Sequence, residues 1–211
     1  MKKLTLATLS TLALTLASTN VFALDGTIRV NGVVTDQTCT LQASGNSSNS
    51  AVTGLKDITV ILPTISKSKF TPAFPAPISW GVHLFLKNAS GTAPCDAATT
   101  KAFKGIHLSA SPTNLDDTDK TLLVNQASGA SAKNPVFILF LTDGFDIVGG
   151  GMAGTKRVDF SEPWGTQAKS SIRGEGGGNI SVLYLATVFS KTGVVDAQNY
   201  TATVNYTIHY N

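Results

Sequence analysis

Charge is scarce in this 211-residue chain: only 14% of the residues are Asp, Glu, Lys or Arg. Sixteen basic residues face 13 acidic ones, and two of the basic ones, Lys2 and Lys3, sit in a leader that leaves 14 against 13 when removed. A domain so near neutrality lacks the basic stripe that neutralises phosphates, which excludes a nucleic-acid binder. Cysteine is rarer still, with only Cys39 and Cys95. Two thiols cannot make an all-thiolate zinc site, and His83, His107 and His209 are scattered without ligand spacing. Glutamate occurs twice, at Glu162 and Glu175, and nothing in the sequence brings two carboxylates together as glycoside hydrolysis requires. The zinc-protease, Walker, nucleophile-elbow and paired-cysteine motifs are all missing. Gly174 to Gly178 lacks the following lysine of a phosphate cradle and reads as a flexible loop. Asp116-Asp117-Thr118-Asp119 lacks the turn glycine and distal glutamate of a calcium loop and reads as a solvated turn. No enzyme activity, metal or cofactor is predicted.

Apolar residues make up 42% of the chain, enough for a real core and too many for a disordered one. Residues 1–23 carry Lys2 and Lys3, then an uncharged Leu/Ala/Thr/Ser run, then Val21-Phe22-Ala23. That is the order of a secretory signal, too short and threonine-diluted for a membrane anchor. No later segment reaches the ~18 apolar residues of a span. In an exported chain, two cysteines most simply pair with each other, Cys39 with Cys95.

From Leu24 onward the hydrophobic period is two. Ile28, Val30, Gly32 and Val34 alternate with Arg29, Asn31, Val33 and Thr35; the same holds over residues 78–86 and 202–210. Further strand candidates are 58–62, 103–110, 121–125, 136–141 and 181–190, rich in β-branched and aromatic residues. The Ser/Asn/Gly-rich stretch 43–50 reads as a loop, and Pro72, Pro75 and Pro77 make 69–77 a connector. Thr142-Asp143-Gly144-Phe145 reads as a hairpin turn returning through Ile147-Val148. No helical stripe is evident, so one all-β sandwich domain is expected. Trp80 falls on an alternating strand and reads as core, whereas Trp164, between Pro163 and Gly165, is the better platform for a sugar.

Two features resemble the chaperone–usher pilins, the type 1-like fimbrial subunits. One is the alternating segment Thr27-Ile28-Arg29-Val30-Asn31-Gly32-Val33-Val34 shortly before Cys39, and the other is the terminal Tyr206-Thr207-Ile208-His209-Tyr210-Asn211 with its penultimate aromatic. Residues 78–86 followed by Cys95, the 136–141 strand with Asp143-Gly144, and Leu183-Tyr184-Leu185-Ala186 are similar to inner strands of the family. One departure is Gln198, where many members carry glycine. The resemblance implies an incomplete immunoglobulin-like β-sandwich, completed by a donor strand from a neighbouring subunit. It divides the chain into signal peptide 1–23, donor-strand extension 24–37 and pilin domain 38–211. Ile28, Val30, Gly32 and Val34 would be the donor strand, while Val204, Tyr206, Ile208 and Tyr210 would form the groove- and chaperone-facing last strand. The implied partners are identical or related pilin subunits in a head-to-tail polymer, a periplasmic chaperone and an outer-membrane usher, with host glycans a further candidate. The implied destination is an extracellular fimbria reached through the periplasm and mediating adhesion. A minor subunit with its own glycan- or matrix-binding loops, and a self-contained secreted sandwich, remain alternatives.

Overall fold

The computed structural model describes residues 39–47, 50–127, 132–143 and 154–211, all within one compact unit. The leader, the donor segment with Ile28, Val30, Gly32 and Val34, and the Ile147-Val148 return lie outside the described residues. The described residues hold ten strands: β1 Cys39–Ser47, β2 Ser50–Thr53, β3 Thr59–Ile61, β4 Ser79–Asn88, β5 Phe103–Ser109, β6 Leu123–Val124, β7 Phe137–Thr142, β8 Arg173–Gly176, β9 Asn179–Phe189 and β10 Asn205–Tyr210. One short helix, α1 Ala97–Ala102, separates β4 from β5; Asp96 caps it by accepting a 2.9 Å bond from the Thr99 N–H.

The larger sheet runs β3-β2-β1-β4-β9-β7-β6, with β8 also on β9; the smaller holds only β10 and β5. Period-two alternation in β4 sends Trp80, Val82, Leu84 and Leu86 inward. Val82, Leu84 and Leu86 meet Val182, Tyr184 and Ala186 of β9, and Ile106 and Leu108 of β5 in the facing layer. That shared core makes the two sheets a sandwich. Trp80 is buried with Phe70, Val136, Val188 and Val195, as its strand position predicts. The outer face of β7 is covered too: Phe137, Leu139 and Leu122 cluster beneath the Lys191 ammonium, 5.1 Å from the Phe137 ring.

Two segments read as loops are partly strand. β1 continues through Ser47, where Ala43 pairs with Leu84, Ser44 with His83, and Asn46 and Ser47 with Ala51 and Ser50. Ser, Asn and Gly are weak strand formers, but a ladder on both sides outweighs propensity. Similarly, Arg173–Gly176 pairs with β9 before the chain reverses. Gly176, Gly177 and Gly178 all have positive φ there, which is what the glycine run is for. Beyond Phe140, β7 also meets the segment at 156–158. Thr142 N–H donates to the Lys156 carbonyl and Val158 N–H to the Phe140 carbonyl, both at 2.9 Å. The 69–77 connector holds no strand, as its prolines require.

The disulfide joins Cys39, at the start of β1, to Cys95 beyond the end of β4, with 5.8 Å between Cα atoms. Because Cys39 pairs with Asn88, the bridge clamps the end of a ladder already formed.

Candidate functional site: a cleft between two strand edges

Among the described residues, β3 and β10 each pair on one side only within their sheets. Between them lies a cleft of about 780 Å³. One lip is the segment from Ile58 to Ile65; the other runs from Gln198 to Tyr206. The floor is core: Val82 and Leu84 from β4, Leu108 from β5, Ile138 and Phe140 from β7, and Ala186 from β9. The groove thus exposes both a sandwich core and, among the described residues, two strand edges.

The second lip's polarity follows from one buried side chain. Gln167, 2% exposed, accepts from the Leu108 N–H (2.9 Å) and donates to the Leu108 carbonyl (2.7 Å). Both backbone groups of Leu108 therefore point away from β10. In an antiparallel pair the residue opposite does the same, so Tyr206, facing Leu108, turns its N–H and C=O towards the cleft. Ile208, opposite Ile106, has the same phase. Gln167 thus closes one edge of the small sheet while the other stays open.

Two tyrosines span the lips. The Tyr200 hydroxyl donates to the Pro63 carbonyl (3.1 Å) and the Tyr206 hydroxyl to the Lys56 carbonyl (2.8 Å). Burial pushes both phenols above their ordinary value of 10.0, with Asp57 adding to the effect at Tyr206. At the far end, Gln198 is held by Asn125 Nδ2 and the Val136 N–H, and donates to the Asn134 and Asp196 carbonyls. No glycine could make these bonds, so the departure from the family pattern has a structural use.

Of the four residues expected on the groove-facing strand, Val204 and Tyr206 line the cleft. Ile208 packs against the core cluster. Tyr210 lies beyond a bulge between His209 and Tyr210 and meets Phe103 edge-on at 6.2 Å. The first lip coincides with the strand expected at 58–62, but neither that strand nor Tyr200 was assigned to the groove from the sequence.

The other candidates are engaged in internal contacts. Trp164 stacks on His209 (4.1 Å, 2° between planes), carries the Lys169 ammonium 4.0 Å from its ring, and approaches Gly105 so closely that a Cβ there would lie 3.2 Å from it. Its ring covers the outer face of β5 and β10. Burial, with His107 and Lys169 nearby, lowers the His209 pKa. His83, Glu175 and Ser181 form a trio, but the hydroxyl (2.9 Å) and the carboxylate (3.2 Å) both meet the same His83 Nε2. A serine nucleophile needs its base on one ring nitrogen and the carboxylate on the other. Among the described residues, the one group with metal-ligand proximity is Cys39, Cys95 and Asp96, whose sulfurs are bonded to each other.

Asp116 organises its turn: Oδ1 accepts from the Thr118 and Asp119 N–H groups at 3.0 Å each and lies 2.7 Å from Lys191 Nζ. Burial works to raise its pKa, but Lys191, Thr118 and the backbone donors outweigh it and carry it from 3.8 to about 2. The folded value is the lower one, so this group contributes stability above pH ~4 that is lost as pH falls through 3.8 towards 2. Asp116→Asn should flatten the acid limb of urea-unfolding stability over that window; an unchanged slope would place the linkage elsewhere.

No family model matches the chain. In sequence it is similar to the major fimbrial subunit SMF-1 of Stenotrophomonas maltophilia, 30% identical over 193 residues, covering 90% of this chain and 94% of the relative. It is also similar to the F17 fimbrial protein of Escherichia coli, 28% identical over 194 residues and covering 92% of each. Among solved structures it resembles the crystal structure of the P pilus rod subunit PapA, with a TM-score of 0.51 and 18% identity over 88% of this chain and all of that one. The structural likeness carries the fold, an incomplete immunoglobulin-like sandwich, and the sequence likeness carries the family. The chain belongs to the chaperone–usher fimbrial subunits and is a structural pilin of a surface fimbria.

Proposed function

We propose that the cleft takes up the N-terminal segment of another copy of this chain, with Ile28, Val30 and Val34 as plugs and Gly32 where a side chain would not fit. The observation that carries this reading is the pair of strand edges over an exposed core floor. The dimensions agree: seven residues from Ile28 to Val34 extend about 23 Å, and the eight-residue lip from Ile58 to Ile65 about 26 Å. Before assembly, a periplasmic chaperone would occupy the same cleft, and the outer-membrane usher would be where one strand replaces the other. The leader, 1–23, would start that route.

The poles of the domain favour one direction of insertion. The disulfide and the end of β10 share a pole, because Tyr210 meets Phe103 just after α1 and the Asn211 N–H bonds the Ala102 carbonyl. Ile65 and Gln198 mark the opposite end of the cleft. A donor antiparallel to β10 leaves the cleft there, so its own disulfide pole abuts the acceptor's opposite pole. Each pole then has one neighbour, and the contact propagates as a filament. A parallel donor would crowd both neighbours onto the disulfide pole.

The test is thermal unfolding of the disulfide-bonded chain lacking residues 24–36, with and without a synthetic Leu24–Asp36 peptide. Three buried plugs should raise the midpoint by about 10–20 °C. A truncated chain already stable and indifferent to the peptide would overturn the reading.

A further inference from the structure

Three of the six large apolar side chains most exposed among the described residues, Phe74 (68%), Val194 (52%) and Ile78 (43%), come from two segments of one pole. They lie beside the Ile65 and Gln198 end of the cleft. Ile65 and Tyr200 pack on Phe70, Trp80 and Val195, the Ser190 N–H donates to the Pro75 carbonyl, and Gly193 sits against Thr71 and Pro72. Phe74 is held out by a stiff turn rather than a loose loop. Thr71 and Phe74 exchange backbone bonds of 3.3 and 2.9 Å, the Thr71 hydroxyl accepts from the Phe74 N–H at 3.1 Å, and Pro72 fixes a φ angle between them. At Gly193 a Cβ would fall 2.3 Å from Pro72 N, so the neighbouring turn is locked against it. Single exposed apolar residues are ordinary, but a pre-formed aromatic knob flanked by two aliphatics is an economical anchor.

We infer that this pole, centred on Phe74 and Val194, is the seat for the body of the incoming copy of the same chain. The inference rests on the strand-donation reading and goes beyond it to a second contact between the same partners. The length of chain before the described residues identifies the occupant. Only five steps separate Val34 from Cys39, a reach of at most about 18 Å. A donor antiparallel to β10 leaves the cleft at the Phe74 pole. Its β1, and with it the disulfide pole of the domain, must then lie within that reach of the Ile65 and Gln198 end of the cleft, beside the turn. The contact is heterologous, one pole on the other, so it repeats along the polymer.

The test uses fibres of the full chain and of Phe74→Asp and Val194→Asp, together with hydroxyl-radical labelling of unaltered protein. Each variant should respond to the Leu24–Asp36 peptide as the unaltered chain does, while its fibres dissociate about tenfold faster or more. In unaltered protein, Phe74 should be protected from labelling in the fibre and not in the peptide-filled monomer. If fibre dissociation is unchanged, or Phe74 labels equally in both states, the docking surface is overturned and the strand reading stands. Protection of Phe74 already in the unassembled full chain would assign the patch to the chain's own N-terminal segment, overturning the inference as well. If the peptide fails on unaltered protein, strand donation falls and this inference falls with it.

Discussion

Gly32→Arg should abolish fibre growth while leaving the variant's own domain as stable as before. On the strand-donation proposal the substitution would alter the segment that is donated and not the cleft of the chain that carries it. Ile28, Val30 and Val34 would each contribute about 1.5–3 kcal/mol by leaving water, or roughly 5–9 kcal/mol together. An arginine on the same face, pressed towards a floor of Val82, Leu84 and Ile138, cannot keep its guanidinium hydrated without lifting the flanking plugs. Every 1.4 kcal/mol is tenfold in affinity, so losing even the lower figure weakens subunit joining by more than about a thousandfold. On the same proposal the variant should still accept a donor strand, because the acceptor edges would belong to β3 and β10. Mixed with unaltered subunits, it should therefore shorten fibres in proportion to its fraction, which length distributions from electron microscopy measure directly. Normal fibres from the pure variant would remove Gly32 from the interface.

The long inner strands were legible because burial on one face writes period two into the sequence. β4 and β9 each carry a near-continuous inward series and were placed to within two residues. β1 beyond Ala43 was not legible, since its Ser, Asn and Gly residues are held by neighbours' ladders that a local pattern does not contain. The last strand's role was half visible: alternation put Val204 and Tyr206 on one face, while the bulge opposite Lys104 that displaces Tyr210 left no sequence mark. The opposite lip's strand was legible at 58–62, but its role at the cleft was not. Its residues face a cleft rather than a completed core, so burial selects less strictly there; Ile61 remains 58% exposed. Trp164 shows the converse. Flanking Pro163 and Gly165 place it in a loop correctly, but only the fold brings His209 and Lys169 to its ring.

Removing the disulfide by Cys39→Ser with Cys95→Ser should be the most damaging change within the domain. The bridge closes a loop with a sequence separation of 56, which on the chain-entropy model stabilises by about 4 kcal/mol. That is a large share of the 5–15 kcal/mol typical of a whole domain, and this domain would have to hold itself together with its cleft unfilled until a strand arrives. Position adds to the effect. On the strand-donation proposal the donor segment would lead into the domain at Cys39, so a load along a fibre of strand-linked subunits would enter at the start of β1. The bridge passes that load to the Cys95 loop and α1, so the Cys39–Asn88 end of the β1–β4 ladder is not the first thing pulled. Without it, the ladder opens from its terminal pair inward. Urea unfolding of the peptide-filled chain should show a loss of about 4 kcal/mol in the double variant. Force extension of single fibres should show subunits yielding from β1 at lower force. Equal stability with and without the bridge would mean that other contacts already restrict the unfolded chain.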